Sequence, residues 1–156
     1  MPAYISAELS GVNGAAGSLR TTAEPGYKPR ATVQGGRLKR LRGTFTLSAT
    51  AATTSDTLVI GNLPAGSTFA FGVITASVTM GASATLAIGT TGATGKYRAG
   101  ATFTAADTPT LFGTAATIGA ADPALSAEEQ VFVTIGAASL PTSGTLVIDL
   151  YYSAPN

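Results

Sequence analysis

Residues 67–77 read STFAFGVITAS, and this stretch indicates a β-strand. It is rich in the β-branched and aromatic residues that strands favour, and it contains no charged side chain. Because successive side chains of a strand point to opposite faces, we expect Phe69, Phe71 and Val73 to share one face. The preceding residues, GNLPAG at 61–66, are typical of a tight turn in which a glycine adopts a positive φ.

Similar strand patterns extend from this stretch in both directions. We expect a long strand at 38–47 with a bulge at Gly43, and a single helical turn at 122–129. The remaining predicted strands are 57–60, 82–89, 130–136 and 145–152, with shorter pieces at 96–104 and 110–112. Seven or eight short strands separated by turns are typical of a β-sandwich or a jelly roll.

The chain divides into two parts by composition. Residues 1–36 contain six glycines and three prolines without a sustained period, which predicts an extended N-terminal arm. Residues 37–156 are predicted to form a single all-β domain, an antiparallel β-sandwich or jelly-roll-like fold of about seven to eight strands.

One short phrase recurs in three of the predicted strands. It reads SDTLVI at 55–60, SATLAI at 83–88 and SGTLVI at 143–148. We interpret it as three strands that enter the core in the same way, with the leucine and the final isoleucine pointing inward. Chance recurrence in a low-complexity β sequence is the alternative.

The composition removes most of the side chains from which active sites are built. Alanine, threonine and glycine make up 73 of 156 residues, charged residues are 11%, and histidine and cysteine are absent. Histidine is the usual general base and cysteine a strong nucleophile. The acidic residues are scattered singly, except Glu128 and Glu129, so neither a calcium loop nor a catalytic carboxylate pair is indicated. We expect no enzymatic activity, no cofactor and no metal.

A glycine-rich segment, GTTGATGK at 89–96, superficially resembles a phosphate-binding loop. A Walker motif continues with Ser or Thr and opens a helix, whereas Tyr97 follows here and the flanks are strand-like. We therefore expect a hairpin loop.

The sequence also limits the partners. No segment approaches the roughly 20 consecutive apolar residues of a membrane span, and the N-terminus lacks the pattern of a signal peptide, so we expect no membrane association. Residues 57–95 carry no charge at all. A free monomer usually has roughly 25–35% charged residues on its surface, so this chain favours packing against copies of itself or a partner.

Positive charge is concentrated near the N-terminus. Residues 1–42 carry seven cationic and two acidic side chains, whereas residues 43–156 carry two and six. The candidate partner-binding residues are Lys28, Arg30, Arg37, Lys39, Arg40 and Arg42. Alternation along a strand divides them between two faces, and few aromatic residues accompany them, so we do not expect nucleic-acid binding. Docking to an acidic protein surface and an ordinary solvated strand remain equal alternatives.

Two segments carry a resemblance to a known class of proteins. Residues 58–97 include LVIGNLPAGS, FGVI and ATLAIGTTGATGKY, and residues 140–152 read LPTSGTLVIDLYY. Together these phrases resemble small virion proteins of tailed bacteriophages, in particular head decoration or cement proteins. The resemblance implies a β-sandwich subunit, often a trimer, that bridges subunits of the major capsid protein on the capsid surface after assembly in the host cytoplasm. It implies no catalytic residue, and the basic segment would face acidic capsid residues.

Two other virion roles are alternatives to a head decoration or cement protein. A tail-fibre or receptor-binding module would need an exposed aromatic platform, for which Tyr97, Phe103, Tyr151 and Tyr152 are the candidates. A tail-tube or neck component would form rings instead of trimers. A shell-forming coat protein is disfavoured, because a single sandwich with so little charge offers no long arm for contacting the genome.

Overall fold

The fold is known from a computed structural model, which describes residues 37–48, 52–113 and 124–154. Within these ranges the chain forms β-strands and contains no helix. The eight strands are β1 (Arg37–Leu47), β2 (Thr57–Leu63), β3 (Thr68–Ala76), β4 (Thr85–Thr90), β5 (Ala93–Thr102), β6 (Thr110–Phe112), β7 (Glu129–Gly136) and β8 (Gly144–Ala154). The predicted arm, residues 1–36, lies outside the described residues.

The strands form two four-stranded antiparallel sheets. The first sheet has the order β1-β8-β3-β6 and the second has the order β2-β7-β4-β5. Most neighbours within a sheet are distant in sequence, and β1 pairs with β8 along its whole length, from Arg37 opposite Ala154 to Leu47 opposite Gly144. The predicted all-β sandwich is confirmed.

The core lies between the two sheets, and the recurring phrase contributes to it from three strands, with Leu58 of β2 only partly buried. Leu86 and Ile88 of β4 and Leu146 and Ile148 of β8 are fully buried, and β2 places Ile60 at the same position. Aliphatic side chains from both inner faces therefore meet in one layer, as expected for stacked sheets. The interpretation that three strands enter the core in the same way is confirmed.

The prediction that Phe69, Phe71 and Val73 share one face is wrong. The pairing of β3 with β8 shifts between Phe69 and Phe71, so one extra residue on β3 reverses the alternation. Phe69 is buried with its ring centroid 4.6 Å from that of Tyr97, whereas Phe71 points outward. The bulge thus places one aromatic ring in the core and the next on the surface.

The predicted bulge at Gly43 is also wrong, because β1 pairs with β8 without a register shift. A Cβ at Gly43 would lie 3.0 Å from the Phe45 ring and 3.2 Å from Ile60, so the glycine makes room for packing. A bulge does occur in β2, where the pairing register with β7 shifts between Val59 and Gly61. Gly61 has a φ of 149°.

The region between β6 and β7 differs from prediction. Residues 122–123 of the predicted helical turn lie outside the described residues, residues 124–128 are not helical, and Glu129 begins β7. Leu125 instead exchanges backbone hydrogen bonds with the turn after β2, accepting from Gly66 at 2.6 Å and donating to Ser67 at 2.8 Å. Gly66 has the expected positive φ, 77°.

Candidate interaction surface

Strand β1 carries the predicted cationic residues along one edge of the first sheet. It is the last strand of the sheet order, with β8 as its neighbour. Arg37, Lys39, Arg40 and Arg42 are all exposed on it. The other two candidates, Lys28 and Arg30, lie outside the described residues.

Arg40 and Arg42 converge on a carboxylate that the sequence analysis missed. Arg42 lies opposite Asp149 of β8 and donates two hydrogen bonds to it, Nε to Oδ1 at 2.7 Å and Nη2 to Oδ2 at 2.6 Å. The Nε of Arg40 is 4.0 Å from Oδ1. Asp149 is only 6% exposed. Its hydrogen bonds with Arg42 and its negative charge raise the pKa of Arg42 and fix the position of that side chain. In the sequence, the signal for this contact is that Asp149 is an acidic residue within an otherwise apolar strand.

Arg37 and Lys39 form a separate pair. They are two residues apart on β1 and point to the side opposite Arg40 and Arg42, because side chains alternate along a strand. Neither makes an ion pair with another residue of the described ranges. Of the four cations on β1, Arg40 and Arg42 therefore contact Asp149, whereas Arg37 and Lys39 do not.

Beside this carboxylate, the outer face of the first sheet also carries several apolar side chains. Phe71 of β3 stacks on Tyr151 of β8 with ring centroids 4.7 Å apart and planes inclined by 20°. Leu111 of β6 and Leu38 of β1 are 71% and 55% exposed. Leu38 and Leu111 lie on the two opposite edge strands of this sheet, so the Phe71–Tyr151 pair is the apolar contact at its centre.

The four aromatic residues predicted as a receptor-binding platform do not form one surface. Tyr97 and Phe103 are buried in the core at 1% and 3% exposure, and Tyr152 packs against the core. Only Tyr151 lies on the outer face, and its ring neighbour is Phe71, which the sequence analysis had not included.

A second polar cluster stabilises the other sheet. Glu129 accepts hydrogen bonds from the Tyr97 hydroxyl at 2.5 Å and from Lys96 Nζ at 2.5 Å. Burial, reinforced by the Glu129 carboxylate, raises the pKa of Tyr97 far above its usual value. The glycine-rich segment beside it forms the β4–β5 hairpin with Gly92 at φ 82°, as predicted, and Lys96 is directed to Glu129.

Arg98 completes the polar contacts of this hairpin. Its guanidinium donates to the backbone carbonyls of Leu86, Ala101 and Thr102, and burial lowers its pKa. Across residues 37–48, 52–113 and 124–154, no three side chains among His, Cys, Asp and Glu come together in a group that could hold a metal ion. Within the same described parts, no helix has the length and apolar character needed to cross a membrane.

Comparison with known proteins gives similarity of structure but not of sequence. No protein-family model matches the chain, and no curated protein sequence is significantly similar to it. Solved structures do match: a chain of the capsid of Ralstonia phage GP4 is 17% identical with a TM-score of 0.60, over 88% of this chain and 92% of that chain.

Two further matches come from other phages. A chain from the capsid asymmetric unit of cyanophage Pam1 is 21% identical with a TM-score of 0.54, over 99% of this chain and 100% of that chain. A chain from the acidic stable capsid structure of Helicobacter pylori bacteriophage KHP30 is 11% identical with a TM-score of 0.55, over 76% and 89%. The fold of this chain is therefore one that occurs in phage capsids.

Proposed function

We propose that this chain is a non-enzymatic structural protein of a phage virion, a decoration or cement protein that binds the outside of the head and bridges subunits of the shell. The observation that carries the proposal is the match to chains from three phage capsids. The match to the Pam1 chain spans both chains almost completely, so the two have nearly the same length. The similarity therefore extends over almost the whole of both chains.

The chemistry of the chain supports a structural role. Histidine and cysteine are absent from the sequence, and the buried polar contacts that we describe tie strands together. Asp149 joins β1 to β8, and Glu129 joins β7 to β5. These contacts stabilise two sheets whose outer surfaces carry few charges, as suits a subunit packed against other subunits.

The proposed mechanism is multivalent attachment. A trimer on the capsid surface contacts several shell subunits at once, so contacts that are individually weak combine into stable retention. The predicted sandwich domain, residues 37–156, forms the body of the subunit and carries the outer face of the first sheet. Residues 1–36 act as an arm that extends over the shell, and the cations of 28–42 face its acidic residues.

The oligomeric state is the first prediction of this mechanism. We expect light scattering on the purified full chain to give the mass of a trimer. A truncated chain that begins at Gly36 should also form a trimer, because the proposed role of the arm is contact with the shell and not self-association. A monomer would contradict the trimer, and a six-membered ring would favour the tail-tube alternative.

Binding to heads is the second prediction. Purified chain added to empty heads that lack it should bind and raise the temperature at which the heads rupture. Replacement of Lys39 with serine should weaken binding about two- to fivefold and reduce its salt dependence, because one exposed charge contact is lost. Arg42 is unsuitable for this test, since its removal would leave the Asp149 carboxylate buried without its main partner.

Lys96→Ser is the matched control. Like Lys39→Ser, it replaces a lysine with serine and removes one positive charge, but Lys96 forms an ion pair with Glu129. We expect unchanged affinity for heads, with a small loss of stability. Heads that gain no thermal stability from the chain would refute the proposed function, and equal effects of the two lysine variants would refute the role of β1.

A further inference from the structure

The two sheets present four edges, and β1 differs from the other three. β6 is only three residues long, and the pairing registers of β2 and β5 are interrupted by bulges. Short edge strands and bulges are devices that prevent another chain from pairing with an edge. β1 has eleven residues in uninterrupted register and therefore remains, among the strands described, the one long regular edge.

The charges on β1 determine which strand can pair with it. An added strand lies about 4.8 Å away and places its side chains directly opposite those of β1. Arg37 and Lys39 occupy alternate positions on one side and have no acidic partner within the described ranges. They would be matched by acidic side chains at alternate positions of an extended segment.

The charge at Arg42 disfavours a second copy of this chain at the edge. Full-length antiparallel pairing of two β1 strands, with Arg37 opposite Leu47, would place Arg42 of one copy directly opposite Arg42 of the other. Like charges placed opposite each other across a ladder are destabilising. An acidic segment of a different protein is the complementary occupant.

We propose that the edge of β1 that no other described strand pairs with is a strand-docking site for an extended segment of the shell protein that carries acidic residues at alternate positions. Backbone hydrogen bonds to β1 would supply affinity, and Arg37 and Lys39 would set register and select the partner. This inference rests on the proposed function, because it assumes that the partner belongs to the phage shell.

The test is amide hydrogen exchange on the full chain, free and bound to empty heads. We expect the edge-facing amides of β1, which alternate with the amides bonded to β8, to exchange at least about tenfold more slowly in the bound state, while those of β2 and β5, the bulged edges, are unchanged. Arg37→Glu combined with Lys39→Glu should weaken binding at least about tenfold. Both side chains are exposed, so circular dichroism should report an unchanged fold.

The outcomes separate the two proposals. Binding without added protection of β1, or binding that tolerates the double charge reversal, would overturn strand docking while the proposed function stands. Failure of the chain to bind heads would overturn the proposed function, and strand docking with it. Protection of β1 in the free chain that increases with its concentration would identify a second copy as the occupant and overturn the inference.

Discussion

Replacement of Gly89 with alanine is expected to destabilise the protein by about 3 kcal/mol, at the upper end of the range for overpacking. Gly89 lies in β4 beneath the strand that returns from the β4–β5 hairpin. An added Cβ would lie 2.1 Å from the carbonyl oxygen of Ala93 and 2.6 Å from the carbonyl carbon and oxygen of Thr94. These are backbone atoms, so the clash cannot be relieved by rotating a side chain, and the hairpin has to open.

Thermal and denaturant unfolding of the Gly89→Ala variant would measure this effect. A loss of about 3 kcal/mol corresponds to a decrease in Tm of roughly 10 °C for a domain of this size. Gly100→Ala is the matched control from the same hairpin, since a Cβ there meets Ala87 at 3.8 Å and Thr85 at 3.9 Å, both ordinary contacts. We expect the control to change stability by less than about 1 kcal/mol, and equal effects at both positions would contradict the argument.

Gly89 also illustrates which parts of the fold the sequence could predict. The phrase at 83–88 predicted the strand and the inward direction of Leu86 and Ile88, because both follow from local alternation. The need for glycine at position 89 depends on how closely β5 returns over β4. That distance is set by the two register shifts of the β4–β5 pair, for which the local pattern contains no signal.

The errors on β3 and β1 have the same physical origin. A register shift of one residue reverses every later side chain, so one bulge after Phe69 is enough to place Phe71 on the face opposite Phe69. In β1 the glycine at position 43 was interpreted as a bulge, but the contacts that require it involve Phe45 and Ile60, the latter on another strand. Bulge positions depend on the partner strand, and the partner is not evident from the local sequence.

The candidate surface was predictable only in part. The exposed cations of β1 were evident because a run of charges stands out in a chain with so few. Their division into two groups follows from alternation, which the sequence analysis anticipated for Lys39 and Arg40. Asp149 is 107 residues from Arg42, and only the pairing of β1 with β8 brings the two together. A cation and an acid that are distant in sequence become a site when the register places them opposite each other.

Replacement of Tyr97 is the other change with a large expected effect. Its ring is 1% exposed and lies 4.6 Å from Phe69, so Tyr97→Ala should cost about 3–5 kcal/mol through loss of burial and a cavity. Tyr97→Phe retains the ring and removes only the hydroxyl that donates to Glu129. We expect this variant to cost about 2 kcal/mol, because a hydrogen bond to a carboxylate is lost.

The dependence of stability on pH tests the raised pKa of the Tyr97 hydroxyl, which is caused first by burial and then by Glu129. The pKa of Tyr97 is raised in the folded state, so the folded protein holds this proton more tightly than the unfolded chain does. The resulting stabilisation is fully present below the pKa of an ordinary tyrosine, about 10, and decreases as the pH rises above it. Unfolding measured between pH 8 and pH 11 should show a steeper alkaline decline for the original chain than for Tyr97→Phe. Tyr151→Phe, which removes a hydroxyl from the half-buried outer face, should change stability little at neutral pH. Parallel alkaline profiles for the original chain and Tyr97→Phe would contradict the raised pKa of Tyr97 in the folded protein.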